Sequence, residues 1–152
     1  MIKVVQGNLL DAQEDIIAHQ VNCFGIAGGL AASIFDKWPD AENDYYQVVG
    51  RMCGRESDLL SLCQLTGQQK DGKIIANLFG QFFPGRDFRP RSLELALGQL
   101  AAIAKTMGLS VAMPYRISCG ICGGDWETVR RIINQTMVEI DVTLYSLDPV
   151  EE

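Results

Sequence analysis

The segment Ile16-Ile17-Ala18-His19-Gln20-Val21-Asn22-Cys23-Phe24-Gly25-Ile26-Ala27-Gly28-Gly29-Leu30-Ala31 constrains the fold more than any other part of the chain. A short apolar run, of strand length, gives way to a glycine-rich turn and then to a helical pattern. Strands of this kind belong to layered α/β architectures, in which ligands bind beyond the carboxyl ends of the strands. At a helix start the first backbone N–H groups lack intrahelical acceptors, and the positive end of the helix dipole lies there. Gly28 and Gly29 put no side chain in the way. The turn therefore reads as an anion site suited to phosphate. His19 and Asn22 are the polar side chains at the strand end beside it.

Short β-branched runs alternate with longer amphipathic ones along the rest of the chain, which predicts a mixed α/β sheet with helices packed on it. The expected strands are Ile2 to Gln6, Ile16 to Asn22, Leu59 to Thr66, Lys73 to Phe79, Ser110 to Pro114 and Asp141 to Leu147. The expected helices are Gly28 to Lys37, Pro39 to Met52, Pro90 to Met107 and Asp125 to Ile140. Pro39 and Pro90 suit the first helical turn, Gly108 suits a C-terminal cap, and Asp125 suits an N-cap. Leu62 to Thr66 and Lys73 to Asn77, joined through Asp71-Gly72, read as a hairpin within an otherwise parallel sheet. No linker or repeat divides the 152 residues, so one domain spanning 1–152 is expected. Gln81 to Pro90 forms the one long loop. Its three phenylalanines either cover a ligand or pack the loop on its own domain.

Nineteen acidic residues outnumber thirteen basic ones, for a net charge of -6. That balance disfavours nucleic acid and anionic lipid as partners, yet permits a nucleotide held by backbone amides. Neither a secretion signal nor a membrane span is legible, and a cytoplasmic location is the expectation. Five cysteines, an odd number, read as reduced thiols.

A second strand, small-residue loop and helix start follow at Met113-Pro114-Tyr115-Arg116-Ile117-Ser118-Cys119-Gly120-Ile121-Cys122-Gly123-Gly124-Asp125-Trp126. Two such loops at strand ends can grip one diphosphate from both sides, whereas each taken singly is an ordinary strand-to-helix connection. Cys119 and Cys122 also match a thiol-redox spacing, in which a helix N-terminus lowers a thiolate pKa. Their late position and their embedding between Ser118 and Gly123-Gly124 argue for anion binding instead. One CxxC and a distant histidine do not make a zinc set, so no metal or cofactor is expected.

Together these residues resemble the macro domain family of ADP-ribose-binding modules. The resemblance rests on Gly7-Asn8-Leu9 after the first strand, Val21-Asn22 with Gly28-Gly29-Leu30-Ala31, and the late Ser118-Cys119-Gly120-Ile121-Cys122-Gly123 loop. It covers essentially the whole chain, in order. His19, Trp38 to Tyr45 and Asp125-Trp126-Glu127 make it most similar to the branch of ADP-ribose 1″-phosphate phosphatases and terminal ADP-ribose glycohydrolases. The resemblance implies a three-layer α/β/α fold with a mixed, mostly parallel sheet and ADP-ribose, or a derivative, lying across the strand ends. It implies Asn8 toward the adenine, Leu9 beside it in sequence as a further ligand-binding residue, and Asn22 beside the distal ribose. The diphosphate falls between Gly28, Gly29 and Leu30 on one side and Ser118 through Gly123 on the other. An ADP-ribosylated protein is a further partner it implies.

The chain also departs from that pattern. Asn8 stands where many members carry an aspartate, and its carbonyl oxygen accepts a hydrogen bond without charge. Gln81 and Cys122 stand where the glycohydrolases carry lysine and aspartate, and a glutamine cannot act as a nucleophilic amine. His19, the only histidine, and Asp125 are the candidate catalytic residues. A structural role competes in each case: a sheet-edge hydrogen bond for His19 and helix capping for Asp125. Strict alternation sets His19 and Asn22 on opposite strand faces unless the chain turns there. The reading is an ADP-ribose-binding macro domain that hydrolyses a derivative modified at the distal ribose. A non-catalytic binding module is the alternative, and a thiol-redox protein the third.

Overall fold

The computed structural model describes residues 2–150. In chain order it contains β1 (Ile2–Gln6), β2 (Ile16–Gln20), α1 (Gly29–Lys37), α2 (Pro39–Arg51), β3 (Cys63–Leu65), β4 (Ile74–Leu78), α3 (Pro90–Met107), β5 (Val111–Pro114), α4 (Trp126–Thr136) and β6 (Val142–Ser146). Short 3-10 turns cover Leu9–Asp11 and Glu56–Leu59. The six strands lie in the order β1-β6-β5-β2-β4-β3. Every pairing is parallel except that of β3 with β4, which is the hairpin expected from the sequence.

Period-two alternation explains how one sheet builds two cores. Ile16 and Ala18 of β2, with Ala76 and Leu78 of β4, pack against Leu93, Leu97 and Leu100 of α3 and Val129 and Ile133 of α4. Ile17 and Ile75, on the opposite face, meet Ile34 and Phe35 of α1 and Ala41 and Tyr45 of α2. The result is an α/β/α sandwich whose central strands are buried on both faces, as parallel strands require. His19 follows Ile17 onto the α1/α2 face, and Gln20 follows Ala18 onto the other.

The helix ends obey local chemistry. Pro39 and Pro90 open α2 and α3. Gly108 closes α3 at φ 67°, a left-handed conformation that a side chain would disfavour. Asp125 caps α4 by accepting from the Thr128 amide at 3.1 Å.

Two elements are shorter than the sequence suggests by more than two residues. The Leu59 to Thr66 run is regular strand only over Cys63–Leu65, with Ser61 left-handed at φ 78° ahead of it. The fourth helix stops at Thr136 rather than Ile140, with Glu139 left-handed at φ 68°. Met137 and Ile140 remain buried in the turn beyond, so the apolar period outlasts the helix.

Candidate functional site

A cavity of about 460 Å³ opens at the carboxyl ends of β2 and β5, within the size range of small-molecule sites. Its walls come from the 19–31 segment, the 81–85 loop, the 114–122 segment and Tyr45 of α2. Of the predicted site residues, His19, Asn22, Gly28, Gly29, Leu30, Ser118, Gly120, Ile121 and Cys122 border it. The sequence thus locates both glycine loops, and the structure brings them together across one cleft.

The lining of the cleft has the chemistry that suits an anion. Among the described residues no aspartate or glutamate lines it, and Arg116 is its one charged residue, although acids outnumber bases in the chain. On one side Gly29 begins α1 at φ 53°, a left-handed conformation that favours glycine, and the first-turn amides are free of intrahelical acceptors. On the other, the amides of Gly120, Ile121 and Cys122 find no backbone acceptor among the described residues. Gly124 holds this late loop tight, since a Cβ there would lie 2.5 Å from the Ser118 carbonyl oxygen and 2.8 Å from the Phe88 ring. Arg116 and Ser118 are themselves left-handed, at φ 60° and 69°, the kind of strain that concentrates at ligand sites.

Gln20, which the sequence reading passes over, joins three walls. Its Nε2 donates to Gln81 Oε1 at 2.7 Å and to Cys122 Sγ at 3.3 Å, and its Oε1 accepts from Ser118 Oγ. Gln81 in turn donates to the carbonyls of Phe83 and Gly85. A glutamine at a strand end carries no distinctive sequence signal; only the convergence of the loops gives it a role. In the 81–90 loop Phe83 stacks on Phe24 at 5.5 Å, while Gln81, Pro84 and Gly85 face the cleft.

Asn22 shares the cleft with His19 because β2 ends at Gln20 and the chain turns. The Asn22 side chain largely shapes that turn. Its Oδ1 accepts from the Phe24 amide at 2.9 Å and the Tyr45 hydroxyl at 3.0 Å, and its Nδ2 donates to the Ile26 carbonyl at 2.8 Å. One amide hydrogen remains for a ligand.

His19 is 1% exposed, with Nε2 2.6 Å from Asn77 Oδ1 and its ring edge-on to Phe35. Burial pulls its pKa down to about 4, against the partial support of the Asn77 hydrogen bond. It is neutral at physiological pH. The hydrogen bond goes to a side chain across the sheet, rather than to the backbone at the sheet edge.

Asn8, Leu9, Cys119, Gly123 and Asp125 lie outside the cavity lining. Asn8 Oδ1 accepts from the Leu10 amide at 3.0 Å and caps the first short turn, and Leu9 is buried beneath it. Asp125 spends its carboxylate on the Thr128 hydroxyl and amide, which hold it below the usual carboxylate range. The role it shows is the capping one. Gly123, at φ 84°, packs under Arg86. Burial raises both the Cys119 and Cys122 thiols above their ordinary range, which removes the low-pKa thiolate that the redox alternative needs.

No protein-family model matches the chain. It is 27% identical to an ADP-ribose 1″-phosphate phosphatase of Saccharomyces cerevisiae, with 96% of this chain and 98% of that one covered. It is 25% identical to part of Polyprotein P1234 of Barmah forest virus, of whose length it spans 6%. A macrodomain protein from Streptomyces coelicolor superimposes with a TM-score of 0.80 at 26% identity, covering 96% and 99% of the two chains. The macrodomain of Mycobacterium tuberculosis DarG gives 0.81 at 24% identity, covering 99% of each. Thermosipho africanus DarTG, solved in complex with ADP-ribose, gives 0.79 at 18% identity, with 99% of this chain and 43% of that one covered. The fold is that of the macrodomains.

Proposed function

We propose that this chain, a macrodomain by fold, binds ADP-ribose across the ends of β2 and β5 and hydrolyses a derivative esterified at the distal ribose, with ADP-ribose 1″-phosphate as substrate. The observation that carries the reading is the cleft itself. Two loops whose amides find no backbone acceptor border one cavity, and among the described residues no carboxylate lines it, in a chain of net charge -6. Such a cleft suits a diphosphate better than a cation or a neutral ligand. The similarity to a yeast ADP-ribose 1″-phosphate phosphatase, and to a protein solved with ADP-ribose, points the same way.

In this reading the Gly28-Gly29 turn and the late loop hold the diphosphate. The distal ribose lies toward Asn22, Tyr45 and His19. Hydrolysis adds water to the phosphoester, leaves a hydroxyl on the ribose and releases inorganic phosphate. Loop amides aimed at the phosphoryl oxygens stabilise the developing charge without reorganising. A cytoplasmic location and an ADP-ribosylated protein as a partner belong to the same reading.

A second reading, a binding module without turnover, is favoured by one specific observation. Asp125 is committed to its helix and His19 is buried, so neither presents an exposed titratable group to the cleft. Phosphate release from ADP-ribose 1″-phosphate, measured for the wild type and for His19→Ala, separates the two. Release by the wild type that falls in the variant, with substrate saturating both proteins, supports the enzyme. Binding without release in either protein supports the module.

A further inference from the structure

Gln64, Asn77 and His19 stand in register across β3, β4 and β2, forming a polar row on the sheet face covered by α1 and α2. Two backbone carbonyls, which can only accept, fix the sense of every hydrogen bond in it. Gln64 Nε2 donates to the Asp44 carbonyl at 3.1 Å, which turns Gln64 Oε1 toward Asn77. Asn77 Nδ2 donates to that oxygen at 3.0 Å and to the Ala41 carbonyl at 3.3 Å. Both amide hydrogens of Asn77 are then used, and its Oδ1 is left as an acceptor. His19 Nε2, 2.6 Å away, must carry the ring proton. Nδ1 is therefore an unprotonated lone pair. Among the described residues it is the one buried side-chain nitrogen or oxygen without a partner, and it belongs to a residue that borders the cleft.

An orphaned acceptor is costly, and native proteins keep few of them. We propose that Asn77, backed by Gln64, is a positioning residue that locks His19 in its Nε2–H form, so that Nδ1, sealed from solvent in the free protein, accepts a hydrogen bond from a hydroxyl of the distal ribose once binding opens the cleft wall to it. The inference rests on the ADP-ribose reading and assigns to it one atom and two residues outside the cavity lining. The depressed pKa agrees with this role: the ring stays an acceptor at neutral pH.

His19 is the only histidine, so NMR of the protein with isotope-labelled histidine nitrogens reports it without ambiguity. The free protein is expected to show a protonated Nε2 and a bare Nδ1. Saturation with ADP-ribose is expected to move the Nδ1 resonance in the sense of an accepted hydrogen bond, whereas ADP, which lacks the distal ribose, leaves it in place. Asn77→Leu is expected to release the tautomer and to weaken ADP-ribose about fivefold relative to ADP, the loss of one neutral hydrogen bond. Gln64→Leu, at the sheet edge, is expected to shift both readouts the same way but less. It serves if Asn77→Leu does not fold. An Nδ1–H tautomer in the wild type overturns the proposal. So does an Nδ1 resonance unmoved while calorimetry records bound ADP-ribose, or one moved equally by ADP. Absence of ADP-ribose binding overturns the functional reading and the ribose assignment with it; the tautomer and its dependence on Asn77 are still decided separately.

Discussion

Acidification is expected to destabilise this protein through one residue before its carboxylates titrate. His19 has its pKa pulled down to about 4 by burial, from an ordinary value of 6.5. The unfolded chain therefore binds a proton that the native state refuses, and stability falls as pH drops from 6.5 toward 4. At one pKa unit per 1.36 kcal/mol the full loss is about 3 kcal/mol, of which about 2 kcal/mol is reached between pH 7 and pH 5. That is a large part of the stability of an ordinary domain. Urea unfolding at intervals between pH 7 and pH 5, for the wild type and for His19→Gln, isolates the effect. No other side chain has an ordinary pKa in that window. The wild-type midpoint should fall with pH and that of His19→Gln should stay nearly flat. Parallel slopes in the two proteins, or a His19 titration midpoint near 6.5, refute the burial argument.

Asp125→Ala should cost about 1 kcal/mol in urea unfolding, the worth of an N-cap, and leave ADP-ribose affinity unchanged by calorimetry; lost affinity with unchanged stability contradicts the capping role. Gly124→Ala places a methyl against the Ser118 carbonyl and the Phe88 ring. It should destabilise by roughly 1–3 kcal/mol and lower affinity, because the late loop must move. Gln20→Ala removes the bonds joining Ser118, Gln81 and Cys122, and should weaken ADP-ribose binding more than AMP binding.

What the sequence makes legible is whatever rests on local pattern. The central strands and the first three helices stand within two residues of their expected ends because periodicity, Pro39, Pro90 and Gly108 mark them. The hairpin was readable from its turn and the two glycine loops from composition. Other features depend on contacts distant in sequence. Gln20 meets residues 61, 98 and 102 positions away. The row from Gln64 through Asn77 to His19 exists only once β3, β4 and β2 pair in register. Asn22 has the residue type of a ribose ligand, yet most of its amide is spent on its own turn. Asn8 likewise sits where the resemblance puts an adenine contact but serves as a cap outside the cavity lining.

Isothermal titration of the purified protein with ADP-ribose, beside AMP and NAD, tests the central claim most directly. The cleft predicts binding of ADP-ribose well ahead of both, since AMP lacks the diphosphate and NAD carries a nicotinamide on the distal ribose. No detectable heat with ADP-ribose, or equal affinity for all three, contradicts the assignment of the paired glycine loops to a diphosphate with a free distal ribose.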